Sequence, residues 1–246
     1  MLRKLSGIAT VTMWVLAFAV VVGAGRYFLA SVPLLLRGQV LALSRHPHWL
    51  LLHIAGGMVA MAFGLFQFVG SLRKSHPAVH RAMGYVYLVA VLVAGSAGLW
   101  LSPDTAVFAA DALTDGKAFD FSSIGLSPAF LGYGPSSAYS PSQFFPVVLA
   151  FATLSIVWPL SSALAFVYAR RRRFDLHRAW MMRSYSLTFA AATVRLIGLP
   201  LLVLTRNPVV AVTCTFWSWI LNLMVAEWLI RRTAPRERDL ASAAIA

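Results

Sequence analysis

Long apolar stretches alternate with short polar ones along this chain. A stretch such as "WLLLHIAGGMVAMAFGLFQFVG" (49–70) is long enough to cross a bilayer, which needs about 20 apolar residues in a helix. No stretch shows the two-residue alternation of a strand, and lipid admits only structures that satisfy their own backbone hydrogen bonds. The pattern therefore predicts a single all-α domain, a polytopic bundle with about six spans at residues 7–27, 49–70, 82–101, 144–168, 180–204 and 209–230.

Composition supports a membrane-embedded chain. Hydrophobic residues make up 59% of the sequence and charged residues 12%, with a mean hydropathy of +0.74. A soluble domain carries about 25% charged residues. The one cysteine, Cys214, lies inside an apolar stretch, which excludes a disulfide framework and a thiolate metal cluster.

The distribution of positive charge predicts how the protein sits in the membrane. A net charge of +13 would suit nucleic-acid binding, but the basic residues lie in short loops between spans, where they orient the chain against anionic lipid. We therefore expect the bilayer as a partner and no nucleic acid. With the N-terminus inside, fifteen of the 21 lysines and arginines fall on the inner side. This predicts a multi-pass protein of the inner (cytoplasmic) membrane, with both termini cytoplasmic and an outer loop at 102–143.

Two similar segments follow inner loops. The segment "HPAVHRAMGYVY" (76–87) is followed 97 residues later by "DLHRAWMMRSY" (175–185), and the alignment pairs His80 with His177 and Arg81 with Arg178. Both segments join an inward-running span to an outward-running span. Spans 2–3 and 4–5 are therefore hypothesised to be two copies of one helical hairpin.

The paired histidines are candidate metal ligands. Two neutral imidazoles on adjacent helices at one depth can bind haem iron or another transition metal, so His80 and His177 are candidate ligands of a haem b. Arg81, Arg178 and Arg183 are then candidate partners of the haem propionates. Two alternatives stay open. Each His-Arg is an interfacial helix start with local hydrogen bonds, or the histidines form a proton or substrate relay.

Other polar residues at membrane depth are candidates because their burial in lipid is costly. His53, near the outer end of span 2, is a candidate cofactor ligand or a buried histidine with a local partner. Arg195, in the middle-to-outer part of span 5, binds an anionic substrate, a quinone oxygen or a propionate, or else satisfies carbonyls inside the bundle. Gln67 and Glu227 lie near the inner end and are candidate substrate or relay residues. Glu227 alternatively forms a structural ion pair with an arginine such as Arg183.

Three blocks of sequence carry a family resemblance: "HIAGGMVAMAFGLFQF" (53–68), "LRKSHPAVHRAMGYVY" (72–87) and "HRAWMMRSYSLTFAAATVRL" (177–196). Over about residues 50 to 200 the chain resembles an uncharacterised family of bacterial multi-span membrane proteins, known only as a domain of unknown function. This resemblance implies a membrane protein and supplies no activity.

The chain also bears a fainter similarity to cytochrome b561-like bundles, which present histidines from several spans to two haems. His53, His80 and His177 match three such positions. The fourth histidine is absent from the end of span 3, the start of span 4 and the loop between them. The resemblance thus implies at most one complete bis-histidine site.

Three classes of function follow from these features. The first is an electron-transfer protein with one haem b, or a quinone, near the cytoplasmic face. The second is a proton-coupled transporter that uses Arg195, Glu227 and the repeated hairpin. The third is a non-catalytic subunit or assembly factor that binds another membrane protein. The sequence holds no phosphate-binding loop and no paired carboxylates within a span, so nucleotide hydrolysis and membrane hydrolysis are not expected.

The predicted topology can be checked by labelling single cysteines in a Cys214→Ser background. A membrane-impermeant thiol reagent on intact cells should label Ser136→Cys in the 102–143 loop. It should label Arg171→Cys and Ser242→Cys only after the membrane is opened. Labelling of Arg171→Cys in intact cells would show that the orientation is opposite to the predicted one.

Overall fold

The computed structural model of the protein describes residues 2–29, 37–113, 132 and 139–243. Every regular element in these ranges is helical, which confirms the all-α prediction. In chain order the α-helices are α1 Leu2–Leu29, α2 Arg37–Arg45, α3 Pro47–Phe66, α4 Gly70–Ser75, α5 Pro77–Leu101, α6 Thr105–Leu113, α7 Phe145–Arg170, α8 Phe174–Thr188, α9 Ala190–Thr205, α10 Pro208–Phe216 and α11 Trp219–Ala243. The end that carries α4 and the start of α8 is called the inner end, and the opposite end the outer end.

Four or five of the six predicted spans are supported by helix length and composition. Four helical segments are long and apolar enough to cross a membrane: Pro47–Phe66, Pro77–Asp111, Pro141–Arg170 and Pro208–Thr233. Helices α8 and α9 qualify together as a fifth span with a bend of 43°. In α1, the apolar segment Val11–Gly25 is shorter than a span. Six spans are thus not confirmed.

The segment 102–143 was predicted to be an outer loop, but its first part is helical. A 3-10 turn, Ser102–Asp104, leads directly into α6, so helical structure continues to Leu113. Pro103 falls at the start of this turn. Residues 114–131 and 133–138 of the predicted loop lie outside the described residues.

Four helices form a ring around the core. Helix α3 packs against α5, α5 against α7, α7 against α8, and α8 against α3. The buried residues inside include Met61, Tyr87, Val91, Ala165 and Tyr185. Helix α1 packs outside on α3, while α10 packs on α9 and α11 on α8. The residues proposed from sequence as site candidates therefore belong to one bundle.

The ring has the arrangement expected of two copies of one hairpin. Helix α5 begins at Pro77 and α8 at Phe174, which is the offset of the repeated His-Arg segments. Tyr87 and Ser184 share the same offset of 97 residues, and their hydroxyl oxygens lie 2.6 Å apart. The offset between the repeated segments therefore also separates these two contacting residues.

Close packing of α3 on α5 depends on Gly56. A Cβ atom at Gly56 would lie 2.8 Å from the carbonyl oxygen of Ala90 and 3.0 Å from the Cβ of Ala94. The adjacent Gly57 has no atom within 4 Å of the equivalent position. Only the first glycine is therefore required by the neighbouring helix.

The two glycines give a matched pair of variants. Gly56→Ala should destabilise the bundle by about 1–3 kcal/mol, because the clash is with backbone that cannot move without separating α3 from α5. Gly57→Ala should be neutral or stabilising by up to about 1 kcal/mol, since alanine has the higher helix propensity. Unfolding of both variants in detergent measures the difference. Equal effects would contradict the close approach at Gly56.

Candidate functional site

A cluster of buried polar side chains lies at the centre of the ring. The Tyr87 hydroxyl of α5 lies 2.6 Å from Ser184 Oγ and 2.9 Å from Thr188 Oγ1, both on α8. From α7, Ser162 Oγ lies 2.6 Å from Ser184 Oγ, and Trp158 Nε1 donates to Thr188 Oγ1 at 2.9 Å. We call these five residues the hydroxyl cluster. It joins three of the four helices of the ring at one depth.

The hydrogens of this cluster can be assigned from its acceptors. Ser162 donates to the carbonyl of Trp158 and Thr188 donates to the carbonyl of Ser184. Ser184 must then donate to Ser162, and the single hydrogen of the Tyr87 hydroxyl is donated to Ser184 or to Thr188. Every hydroxyl hydrogen is used within the protein, so the cluster is complete without a ligand.

The hydroxyl cluster was not predicted from the sequence. The candidates were mostly ionisable residues, whereas the cluster is built from neutral hydroxyls and one indole. Its sequence signal is small polar residues in apolar segments: Ser162 in "PLSSAL" (159–164), and Ser184 and Thr188 in "RSYSLT" (183–188). Such residues bond across helices inside membranes.

His177 stands at the inner end, on the first turn of α8. Its Nδ1 lies 2.8 Å from the carbonyl oxygen of Ala165 on α7. A carbonyl only accepts, so Nδ1 carries the hydrogen and Nε2 has a free lone pair. A backbone partner at one ring nitrogen is also how proteins orient histidines that bind metals through the other.

His80 lies at the same end, on the first turn of α5. Its Nδ1 is buried and has no hydrogen-bond partner among the described residues. His80 and His177 are close enough for a charge on one imidazole to act on the other. Gln67, which ends α3, contributes an amide that donates to the carbonyl of His80 over 3.5 Å. The structure therefore places the two repeat histidines and Gln67 at the same end of the bundle.

The three candidate arginines of the inner end have different surroundings. Arg81 and Arg178 are exposed. Arg183 donates from Nε and Nη2 to the two carboxylate oxygens of Glu227 at 2.5 and 3.1 Å, and its guanidinium lies 4.7 Å from the ring centre of Trp180. This two-point contact ties α8 to α11 and agrees with the interpretation of Glu227 as an ion-pair partner. It also engages the edge of Arg183 that a propionate would need.

His53 is separate from the histidine pair. Its Nδ1 lies 2.9 Å from the carbonyl oxygen of Ala94, and its ring makes an edge contact with Phe151. Ala94 follows His80 by fourteen residues on α5, a rise of about 21 Å. His53 therefore belongs to the outer half of the bundle, as predicted, and cannot share a ligand with the inner pair.

Arg195 is not assembled with the other candidates. It is exposed on α9, and its Nη1 donates to the carbonyl of Ala191 in the same helix at 2.5 Å. This contact lies within one helix, whereas one interpretation from sequence expected Arg195 to satisfy carbonyls inside the bundle. Within the described part of the chain, no group of three or more histidines, cysteines and carboxylates could hold a metal ion.

The hydroxyl cluster can be tested with a pair of tyrosine variants. Tyr87→Phe should lower the free energy of unfolding by about 1–3 kcal/mol, because it leaves buried hydroxyls without their donor. Tyr85→Phe is the control: Tyr85 lies two residues away and is 48% exposed, against 1% for Tyr87, so its effect should stay within about 0.5 kcal/mol. Unfolding by sodium dodecyl sulfate would measure both. A similar loss of unfolding free energy in both variants would contradict a stabilising role of the hydroxyl cluster.

Comparison with known proteins gives a family. Residues 50–115 and 134–230 match the model of a family described as "Predicted membrane protein (DUF2306)". No curated protein and no solved structure matches the chain. The similarity to cytochrome b561-like bundles is not shown by these comparisons. The chain, a membrane protein of packed apolar helices, belongs to the DUF2306 family.

Proposed function

We propose that this membrane protein binds one haem b between His80 and His177 and transfers electrons near the cytoplasmic face of the inner membrane. The observation that carries the proposal is the pairing of two imidazoles at equivalent positions of the two hairpins. They come from α5 and α8, at the same end of the bundle and within electrostatic range of each other. Two imidazoles on opposite sides of an iron are a common axial ligand set for electron transfer.

The nitrogen atoms of both rings suit this role. The hydrogen bond from Nδ1 of His177 to Ala165 fixes the tautomer that leaves Nε2 free to ligate, and it makes the imidazole a stronger ligand. His80 has no described side-chain hydrogen bond that would hold its ring in another role, and its buried Nδ1 lacks a partner. A bound iron would supply one-electron chemistry by alternating between its ferrous and ferric states.

The charges around the pair suit an anionic cofactor. Arg81 and Arg178 each follow one of the histidines and are exposed at the inner end, where propionates would meet water. Arg73 lies close enough to His80 to act on it electrostatically. Arg183 is engaged with Glu227, and the proposal assigns propionate binding to Arg81 and Arg178 because each directly follows one of the two histidines. The electron partner in this proposal is a quinone or another membrane protein.

A proton-coupled transporter is the second candidate function. It is favoured by one bent span among the described residues: α8–α9 bends by 43° after Thr188. Transporters often bind substrates where spans are broken. The third class, a non-catalytic subunit or assembly factor, has no specific contact in its favour.

A spectrum of the purified protein, expressed with ample haem, tests the first proposal. The reduced protein should show the sharp visible bands of low-spin haem b. His80→Ala and His177→Ala should each abolish these bands, because one imidazole cannot maintain six-coordinate iron. Arg81→Ala should weaken haem retention without a change in ligation.

His53→Ala is the matched control, since His53 is a histidine of the same bundle about 21 Å away along the helix axis. It should leave the bands unchanged. A stable protein without haem, or bands that survive His80→Ala, would overturn the proposal.

A further inference from the structure

The span made by α10 and α11 carries three buried polar side chains where it is interrupted. Thr215, Ser218 and Trp219 are spaced at i, i+3 and i+4, which places them on one side of the helical turn. Their side chains point into the protein, because only 7%, 2% and 7% of each residue is exposed. We call this segment the 215–219 turn.

None of the three groups has a partner within the described structure. Thr215 Oγ1, Ser218 Oγ and Trp219 Nε1 are buried and make no hydrogen bond to a described residue. One turn further along, Asn222 is fully engaged: it accepts from Thr193 at 2.9 Å and donates to the carbonyl of Ser186 at 3.2 Å. Unpaired polar groups in a native interior commonly mark a bound water or ion.

The chemistry of the three groups points to an acceptor as ligand. An indole N–H can only donate, and both hydroxyls can donate. The backbone N–H groups of Ile220 and Leu221 bond to the carbonyls of Trp217 and Ser218, so the side chains are the donors that this turn offers. A site that offers donors favours an anion.

The surrounding charges agree with this choice. Gly198 on α9 faces Thr215, and Thr193 contacts Asn222, so Arg195 lies at the depth of Ser218 and Trp219. Helices α9 and α10 contain no aspartate or glutamate. Glu227 follows Trp219 by eight residues, about 12 Å along the helix, and is paired with Arg183.

We propose that the 215–219 turn binds a small monovalent anion of the halide class, held by the two hydroxyls and the indole N–H. The positive charge of Arg195, at the same depth, adds favourable potential. This site is independent of the histidine pair and of the proposed haem.

The thermal unfolding midpoint of the full chain in detergent tests the proposal. It is measured in sodium chloride, sodium bromide and sodium gluconate at equal ionic strength, since gluconate is too large for the space between packed helices. Chloride and bromide should raise the midpoint in a saturable way, by about 3 °C or more over gluconate.

Thr215→Val and Ser218→Ala should reverse the sign of the stability difference. Each removes a hydroxyl that has no partner in the halide-free protein, so in gluconate each variant should be at least as stable as the wild type. In chloride each should be less stable than the wild type, because the anion loses a donor. Thr233→Val is the control: its hydroxyl bonds the carbonyl of Leu229 near the other end of the span, and the full halide effect should remain.

Three outcomes would overturn the proposal. The first is no difference between halide and gluconate in the wild type. The second is a halide effect that persists undiminished in both hydroxyl variants. The third is an equal loss of stability in all salts, which would mean that an ordered water fills the site. Visible spectra of the same samples report the haem separately, so failure of one proposal is distinguishable from failure of the other.

Discussion

Hydrocarbon offers no hydrogen-bond partners, so polar side chains inside this bundle must find partners in the protein. In the ring of four helices, the hydrogen bonds of these side chains centre on the Tyr87 hydroxyl. It reaches from α5 to Ser184 and Thr188 on α8, and these in turn bond to Ser162 and Trp158 on α7. The fourth helix, α3, joins through Tyr185 of α8, whose hydroxyl donates to the carbonyl of Met61 at 3.3 Å. One depth of the bundle thereby fixes all four helices.

The inner histidine pair follows from this arrangement. His80 precedes Tyr87 by seven residues, and His177 precedes Ser184 by the same number, a descent of about 10 Å along each helix. Equal spacing from the Tyr87–Ser184 contact places both histidines at the inner end of the bundle. A saturated cluster two turns away gives a rigid support for a site at the bundle end, where ligand geometry must be held closely.

Sequence alone predicted the helical class, because apolar stretches of span length leave few alternatives in lipid. It also named Arg183 among the partners of Glu227, whereas the hairpin repeat stays a hypothesis. The interruptions at residue 189 and at 217–218 could not be predicted. Neither has proline or glycine at the break, so the local sequence carries no signal and packing of neighbouring helices decides the bend.

In the candidate site, the ionisable side chains could be predicted from the sequence, but the groups that orient them could not. Strongly ionisable residues stand out in an apolar chain, whereas the partners that orient them do not. The carbonyl of Ala165, which fixes the tautomer of His177, has no side-chain signature at all. Buried hydroxyls such as Thr215 and Ser218 are equally common in ordinary spans, and their lack of partners is visible only once the neighbouring helices are in position.

Electron paramagnetic resonance of the oxidised, haem-loaded protein tests the central claim most directly. With ¹⁵N-labelled histidine, the account predicts one low-spin ferric haem per chain whose iron couples to two imidazole nitrogens. Coupling to a single imidazole, a high-spin iron, or two haems per chain would contradict a shared site between the two hairpins.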